Sequence, residues 1–266
     1  MLRSTVLMCH APIVIPAIAR GEASRCEATT AAMAQAAARL AASGARRVAL
    51  LTPHAPRHGQ AFGFYGGPTV SGNFGRFGAR GLRVEFPGDP EALAAVSQAA
   101  ARRGLELHPV HGRDLDHGAL VPLWFLQEAG WRGPVAVYGF PWHGGDSGRV
   151  AFGEALASGM ERLGSPWALL ASGDCSHRLT PGAPAGFDPL AAQFDRRLVE
   201  AVQEGRESDL GRDQAELREL AAEDVVETLE VTSGVLGEDR AGREFLSYEG
   251  PFGVGYCVAV LQEAPP

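Results

Sequence analysis

Residues 4–10, Ser4-Thr5-Val6-Leu7-Met8-Cys9-His10, and residues 47–54, Arg47-Val48-Ala49-Leu50-Leu51-Thr52-Pro53-His54, are two short apolar runs that each lead to a histidine. Between them residues 24–43 are rich in alanine, opened by a Ser24-x-x-Glu27 capping box and followed by Gly44. A short apolar run bounded by turn residues reads as a buried strand, and the box and glycine frame a helix. Strand, helix and strand in this order form a crossover unit, which predicts a largely parallel sheet covered by helices on both faces.

The alternation continues along the chain. Asp89-Pro90 opens a helix that closes at Gly104, residues 105–110 follow as a strand, and residues 119–129 are helical. Strands are expected at 134–140 and 167–171, with a helix at 147–163 between them that ends at Gly164. Asp188-Pro189 starts a helix to about residue 204, two acidic helical segments run to about residue 236, and residues 253–261 make the last strand. With no linker or internal repeat, the fold class is α/β: one domain over residues 1–266, with a central mostly parallel or mixed sheet between helices. The glycine- and aromatic-rich stretch 62–78 reads as a pocket-covering loop or a plain connection, and the acidic stretch 204–230 as a solvated face or a docking surface.

Composition narrows the function classes. The 45% apolar content suits a globular core, and a net charge of -7 with interleaved signs gives no footprint for nucleic acid or an anionic membrane. No apolar run approaches the roughly 20 residues that span a bilayer, and the opening run is too short for a signal peptide, so a cytoplasmic location is expected. Cys9, Cys26, Cys175 and Cys257 form no CxxC pair, which predicts reduced thiols.

In a doubly covered sheet the strand ends converge on one crevice, so residues placed there can meet around one ion. His10, His54 and His177 each follow an expected strand, and Glu249 precedes the last one. Two imidazoles and a carboxylate on one face of an octahedron leave three open positions, the arrangement of non-haem Fe(II) oxygenases; the same donors also suit Zn(II). Any single histidine is more often structural than ligating, so spacing alone leaves this choice open. His117, between Asp116 and Gly118, has the same two readings. Asp174, Ser176 and His177 do not make a hydrolase triad, because neighbours on extended backbone point to opposite faces and the G-x-S-x-G elbow is absent.

Five segments resemble, in order, the motifs of the class III extradiol dioxygenase (LigB-type) superfamily. They are His10-Ala-Pro-Ile-Val-Ile-Pro, Thr52-Pro-His54-Ala-Pro, Asp114-Leu-Asp-His117-Gly-Ala-Leu-Val-Pro-Leu, Ser172-Gly-Asp174-Cys-Ser-His177-Arg-Leu and Ser247-Tyr-Glu249-Gly-Pro-Phe-Gly-Val-Gly-Tyr. The chain is most similar to the LigB-like domains associated with AMMECR1 and Memo proteins. The resemblance implies metal ligands His10, His54 and Glu249, an acid/base pair His117 and His177, and a supporting role for Asp174. It implies Fe(II), with Zn(II) as the alternative, and a small aromatic diol and O2 as substrates. His177 would take and return a proton, and His117 would steady the added oxygen. The rival readings are a Memo-like metal-binding scaffold, working with an AMMECR1-like or radical-SAM partner, and a zinc hydrolase; self-association is left open. In Memo-type relatives the carboxylate ligand is missing, whereas Glu249 is present here. Two departures stand out: Cys175 where relatives have Leu, and Glu223-Asp224-Val225 where many have Glu-Cys-Gly.

Overall fold

The computed structural model describes residues 1–143, 145–213 and 215–265. Its strands are β1 (Leu2–Met8), β2 (Arg47–Thr52), β3 (Phe62–Tyr65), β4 (Thr69–Phe74), β5 (Ala79–Pro87), β6 (Leu107–Val110), β7 (Val135–Gly139), β8 (Trp167–Ser172), β9 (Glu244–Glu249) and β10 (Tyr256–Glu263). The helices are α1 (Pro16–Ala19), α2 (Glu27–Ala42), α3 (Pro90–Ala101), α4 (His117–Glu128), α5 (Asp146–Arg162), α6 (Ala191–Glu204), α7 (Leu210–Asp213), α8 (Ala215–Ala221) and α9 (Val226–Leu236).

Eight strands form one mixed sheet in the order β6-β3-β7-β2-β8-β1-β10-β9, and β4 and β5 pair as a separate hairpin. The centre, β7-β2-β8-β1, is parallel. Antiparallel pairing enters at β3 on one side, and at β10 and β9 on the other. Alternation along each central strand sends side chains to opposite layers. Val6, Met8, Val48, Leu50 and Leu170 pack with α2 and α4, whereas Ala49, Leu51, Tyr138, Trp167 and Leu169 pack with α3 and α5. Leu7, Ala171, Cys257 and Ala259 meet α6 and α9 on that second face. The four cysteines are buried and unbridged, and no described helix is long and apolar enough to cross a membrane.

Local signals act where the chain supplies both partners. Asp89 caps α3 by accepting from Ala92 N at 3.0 Å, and Asp116 caps α4 by accepting from Ala119 N at 3.1 Å. The Ser24 box does not form. Residues Arg20–Cys26 are a 3-10 segment, and α2 begins at Glu27 without a side-chain cap from its preceding residue. Its first-turn acceptor comes from β9, where the Glu249 carboxylate accepts from Thr29 N at 2.7 Å and from Thr29 Oγ1 at 2.6 Å.

Two segments depart from the sequence reading. Residues 62–78 are not a loop: they supply β3, β4 and the turn before β5, where Gly78 adopts φ +78 and Gly72 marks a close approach. A Cβ on Gly72 in β4 would lie 2.9 Å from a Leu120 methyl of α4. The acidic stretch 204–230 is only partly a solvated face, because Glu207 and Glu230 are buried. Glu230 pairs with Arg149 and Glu207 with Arg243, while Glu227 pairs with Arg57 at 2.5 Å. Acidic side chains enter the interior where arginines meet them.

Candidate metal centre

His10 and His54 lie just past the C-terminal ends of β1 and β2, flanking β8 in the sheet. Their Nε2 atoms are 3.0 Å apart. The carboxylate beside them is Asp224, whose Oδ2 lies 3.3 Å from His10 Nε2 and 3.1 Å from His54 Nε2. Edges of about 3.0 to 3.4 Å are what donors at about 2.1 Å from a common ion subtend in octahedral or tetrahedral geometry. The donors therefore stand at coordinating separation.

The surroundings point these donors inward. His10 Nδ1 is 3.0 Å from Ser172 Oγ, and the Ser172 hydroxyl donates to Gly118 O at 2.6 Å. Since that hydroxyl has one proton and spends it on a carbonyl, it accepts from His10 Nδ1–H and leaves Nε2 facing Asp224. Asp174 N donates to Asp224 Oδ1 at 2.8 Å, which turns Oδ2 toward the imidazoles. The Asp174 carboxylate in turn accepts from His10 N at 2.8 Å. Burial lowers the His10 pKa, but Asp174 and Asp224 outweigh it and raise it to about 9. Burial likewise raises Asp224, but His10 and His54 hold it well below the usual carboxylate range. Both shifts favour positive charge at this position, where a divalent cation would compete with a proton.

His117 is the first residue of α4. A nitrogen of its ring lies within 4.8 Å of donor nitrogens of His10 and His54, and the ring stacks on His54 at 4.1 Å between centroids. Burial and the neighbouring imidazoles lower its pKa to about 3, so His117 is neutral at neutral pH. Gly118 is needed beside it: a Cβ there would lie 2.5 Å from Thr52 Oγ1 and 3.3 Å from His54 Cδ2. Gly118→Ala is expected to displace His54 and weaken metal binding by about 10–100-fold, as loss of an orienting contact does, read by anaerobic metal titration. Unchanged affinity would show that the site tolerates the methyl.

His177 is the remaining histidine named from sequence. It interacts electrostatically with His117, Asp174 and Asp195, and its buried Nδ1 has no hydrogen-bond partner among the described residues. Ser176 is committed elsewhere, donating to Ala221 O at 3.1 Å and accepting from Arg178 N at 3.0 Å. Behind it, buried Asp195 accepts from Ser176 N at 2.8 Å and from Tyr248 OH at 2.5 Å. Burial outweighs both bonds and raises Asp195 from 3.8 to about 6.

Between those two values the folded state holds a proton that the unfolded state has released, so stability falls as pH rises through the window, by on the order of 3 kcal/mol in all. Asp195→Asn is expected to remove that part of the difference between pH 4 and pH 8, measured by urea unfolding of both proteins at each pH. The same pH dependence in both would dismiss Asp195 as its source.

Glu249 stands apart from this cluster. Its carboxylate is engaged by Thr29, and it does not join the histidine cluster among the described residues. β9 is the edge strand, separated from β1 by β10, which puts it about 10 Å from β1 at ordinary strand spacing. Sequence reasoning missed Asp224, which lies in the short connection between α8 and α9. Its signal was the substitution of Asp for Cys in a segment already marked as departing from relatives, since both are anionic metal-ligand types.

A cavity of about 960 Å3 opens beside His54 and His117. Tyr65, Leu115 and Leu120 form its buried wall, and the Phe77 ring of the β4–β5 turn lies 5.9 Å from the His117 ring.

The family model for the catalytic LigB subunit of aromatic ring-opening dioxygenase matches residues 4–259. The chain is 28% identical over 272 residues to Protein CA_C1420 of Clostridium acetobutylicum, covering 98% of this chain and 58% of that protein. It is 25% identical over 127 residues to 3,4-dihydroxyphenylacetate 2,3-dioxygenase of Escherichia coli, covering 46% of each. The chain thus spans about half the length of these curated relatives. The crystal structure of uncharacterized protein JW3007 from Escherichia coli K12 shares the fold, with a TM-score of 0.64 at 13% identity over 97% of this chain and 98% of that one.

Proposed function

Because the chain belongs to the LigB family, we propose that it is an extradiol-type dioxygenase that opens an aromatic diol with O2 at one Fe(II) held by His10, His54 and Asp224. The observation that carries this reading is the set of three converging donor atoms 3.0, 3.1 and 3.3 Å apart. When bound, such an ion supplies a Lewis acid that eases loss of a diol proton and open positions for both substrates. The same donors also accommodate Zn(II).

The chain's own residues orient the ring and handle protons. The cavity beside His54 admits a planar molecule, with Phe77 and His117 on its sides. His177 accepts a hydroxyl proton of the diol and returns it to the ring-opened product, the task for which an imidazole is suited near neutral pH. His117, neutral at that pH, serves as a hydrogen-bonding group and not as a standing acid. Both atoms of O2 enter the product, so no external reductant is required.

The test is to load the protein with Fe(II) without oxygen, add a panel of catechols, admit O2, and follow oxygen uptake with the visible absorbance of the ring-opened product. Stoichiometric uptake and product are expected for at least one diol. Metal binding without turnover of any diol would overturn the reading in favour of a metal-binding scaffold.

A further inference from the structure

Resting on the ligand set of that reading, we infer that Arg57 and Glu227 are positioning residues of the metal centre. Their ion pair fastens the segment that carries His54 to the turn that carries Asp224, and so fixes the separation of those two donors.

The two donors arrive on different supports. Asp224 is tied to the His10 side of the centre. Its N donates to Asp174 O at 3.3 Å, its Oδ1 accepts from Asp174 N at 2.8 Å, and Thr228 Oγ1 of α9 donates to Ser172 O at the end of β8 at 2.9 Å. His54 stands on the connection between β2 and β3, with its side chain 33% exposed. Its own backbone bond is local, from His54 N to Thr52 Oγ1 at 3.3 Å. A donor on a connecting segment needs a tie from outside that segment to hold its distance.

Arg57, three residues after His54, supplies that tie. Its guanidinium donates to Glu227 Oε1 at 3.2 Å and to Oε2 at 2.5 Å, a two-point contact. The same fork donates to Pro53 O, the carbonyl just before His54, at 3.3 Å, and to Pro141 O beyond the end of β7 at 2.9 Å. Glu227 lies in the first turn of α9, three residues after Asp224. Among the described residues, the hydrogen bonds that join residues 53–58 to α9 are those of this pair.

The surroundings stiffen the contact. Both side chains are about four-fifths buried, and the exposed Trp142 ring lies 6.0 Å from the guanidinium. Glu227 is also 3.4 Å from Arg149, a buried side chain that pairs with Glu230 one turn further along α9. A guanidinium fork on a carboxylate restrains direction as well as distance, and a partly buried pair is little screened by salt. Opening the pair would release residues 53–58 from α9, where His54 Nε2 now stands 3.1 Å from Asp224 Oδ2.

The test titrates the metal-free full chain with Co(II), whose visible d–d bands report the arrangement of its donors. Wild type is expected to bind one ion, with that binding lost in Asp224→Asn. Arg57→Gln and Glu227→Gln should each weaken binding by about 10–100-fold and alter the bands. The double variant should lose about as much as the weaker-binding single variant, because one contact is removed twice. Arg39→Gln is the control: it breaks the pairs with Glu244 of β9 and Glu263 of β10, and should lower stability in urea without changing affinity or bands. Wild-type affinity and bands in both single variants, losses that multiply in the double variant, or an equal loss in Arg39→Gln would each overturn the clamp. Should Arg57→Gln fail to fold, Glu227→Gln decides alone, since it keeps the side chain's shape and one accepting oxygen. Full-strength binding in Asp224→Asn would overturn the ligand set and the clamp with it. No step depends on turnover, so if Co(II) behaves as expected and no diol is opened, the dioxygenase reading fails and the clamp stands.

Discussion

Asp224→Asn is expected to strip the centre of its divalent metal, while Glu249→Ala leaves metal binding intact and costs stability instead. The Asn side chain keeps the shape of Asp and can still accept from Asp174 N through its amide oxygen, but the atom facing His10 and His54 becomes a neutral donor. At Oδ2, now 3.3 and 3.1 Å from the two Nε2 atoms, an N–H2 group would repel a cation. The loss should exceed the roughly 10–100-fold that follows removal of a supporting residue. Glu249 holds only the first turn of α2 through Thr29, so its removal is expected to cost about 0.5–2 kcal/mol, as loss of a helix cap does. Anaerobic titration with Fe(II) and with Zn(II), alongside urea unfolding, separates the two. Lost metal affinity in Glu249→Ala with full affinity in Asp224→Asn would return the carboxylate ligand to Glu249.

His177→Ala is expected to retain Fe(II) and to bind a diol anaerobically, yet lose about 10²–10⁴-fold in kcat, the contribution of a positioned general acid or base. Retention follows from the geometry, because the converging donors belong to His10, His54 and Asp224, and His177 is held apart by its backbone, donating from N to Ala221 O at 2.9 Å. His117→Ala provides the comparison. A group with a pKa of about 3 is not a proton reservoir at pH 7, so any rate loss should show no new dependence on pH between 5 and 8, whereas removing His177 should change the pH profile. Equal kcat in wild type and His177→Ala would take His177 out of the reaction, and loss of metal in that variant would recast it as a ligand.

Much of this architecture was legible residue by residue because short-range chemistry encodes it. The apolar runs at β1, β2, β7 and β8 are buried on both faces and so read as strands, and Asp89-Pro90 marks the start of α3 within one turn. The same logic put His10 and His54 just past strand ends, where a covered sheet collects its ligands. The β4 strand was illegible because Gly72 answers to Leu120 of α4, a contact with no local trace. The buried glutamates 207, 223 and 230 were illegible because an acidic helix looks solvated until the matching arginine is known to lie against it.

The sequence by itself determined the class of the fold, the family, and two histidines that bracket β8. The tertiary structure decided which carboxylate stands beside the two imidazoles. Glu249 and Asp224 are the same chemistry at the level of residue type, and both precede or follow apolar segments, so no local rule ranks them. Strand order does: β10 holds β9 away from β1 and leaves Glu249 to cap α2, while the turn before α9 folds over the end of β8. There Gly173, with no side chain to intervene, lets Val225 within 2.5 Å of where its Cβ would be, and Asp174 N fixes Asp224 over the two imidazoles. A carboxylate becomes a ligand through where the backbone carries it, and that is set by pairings between segments far apart in the chain.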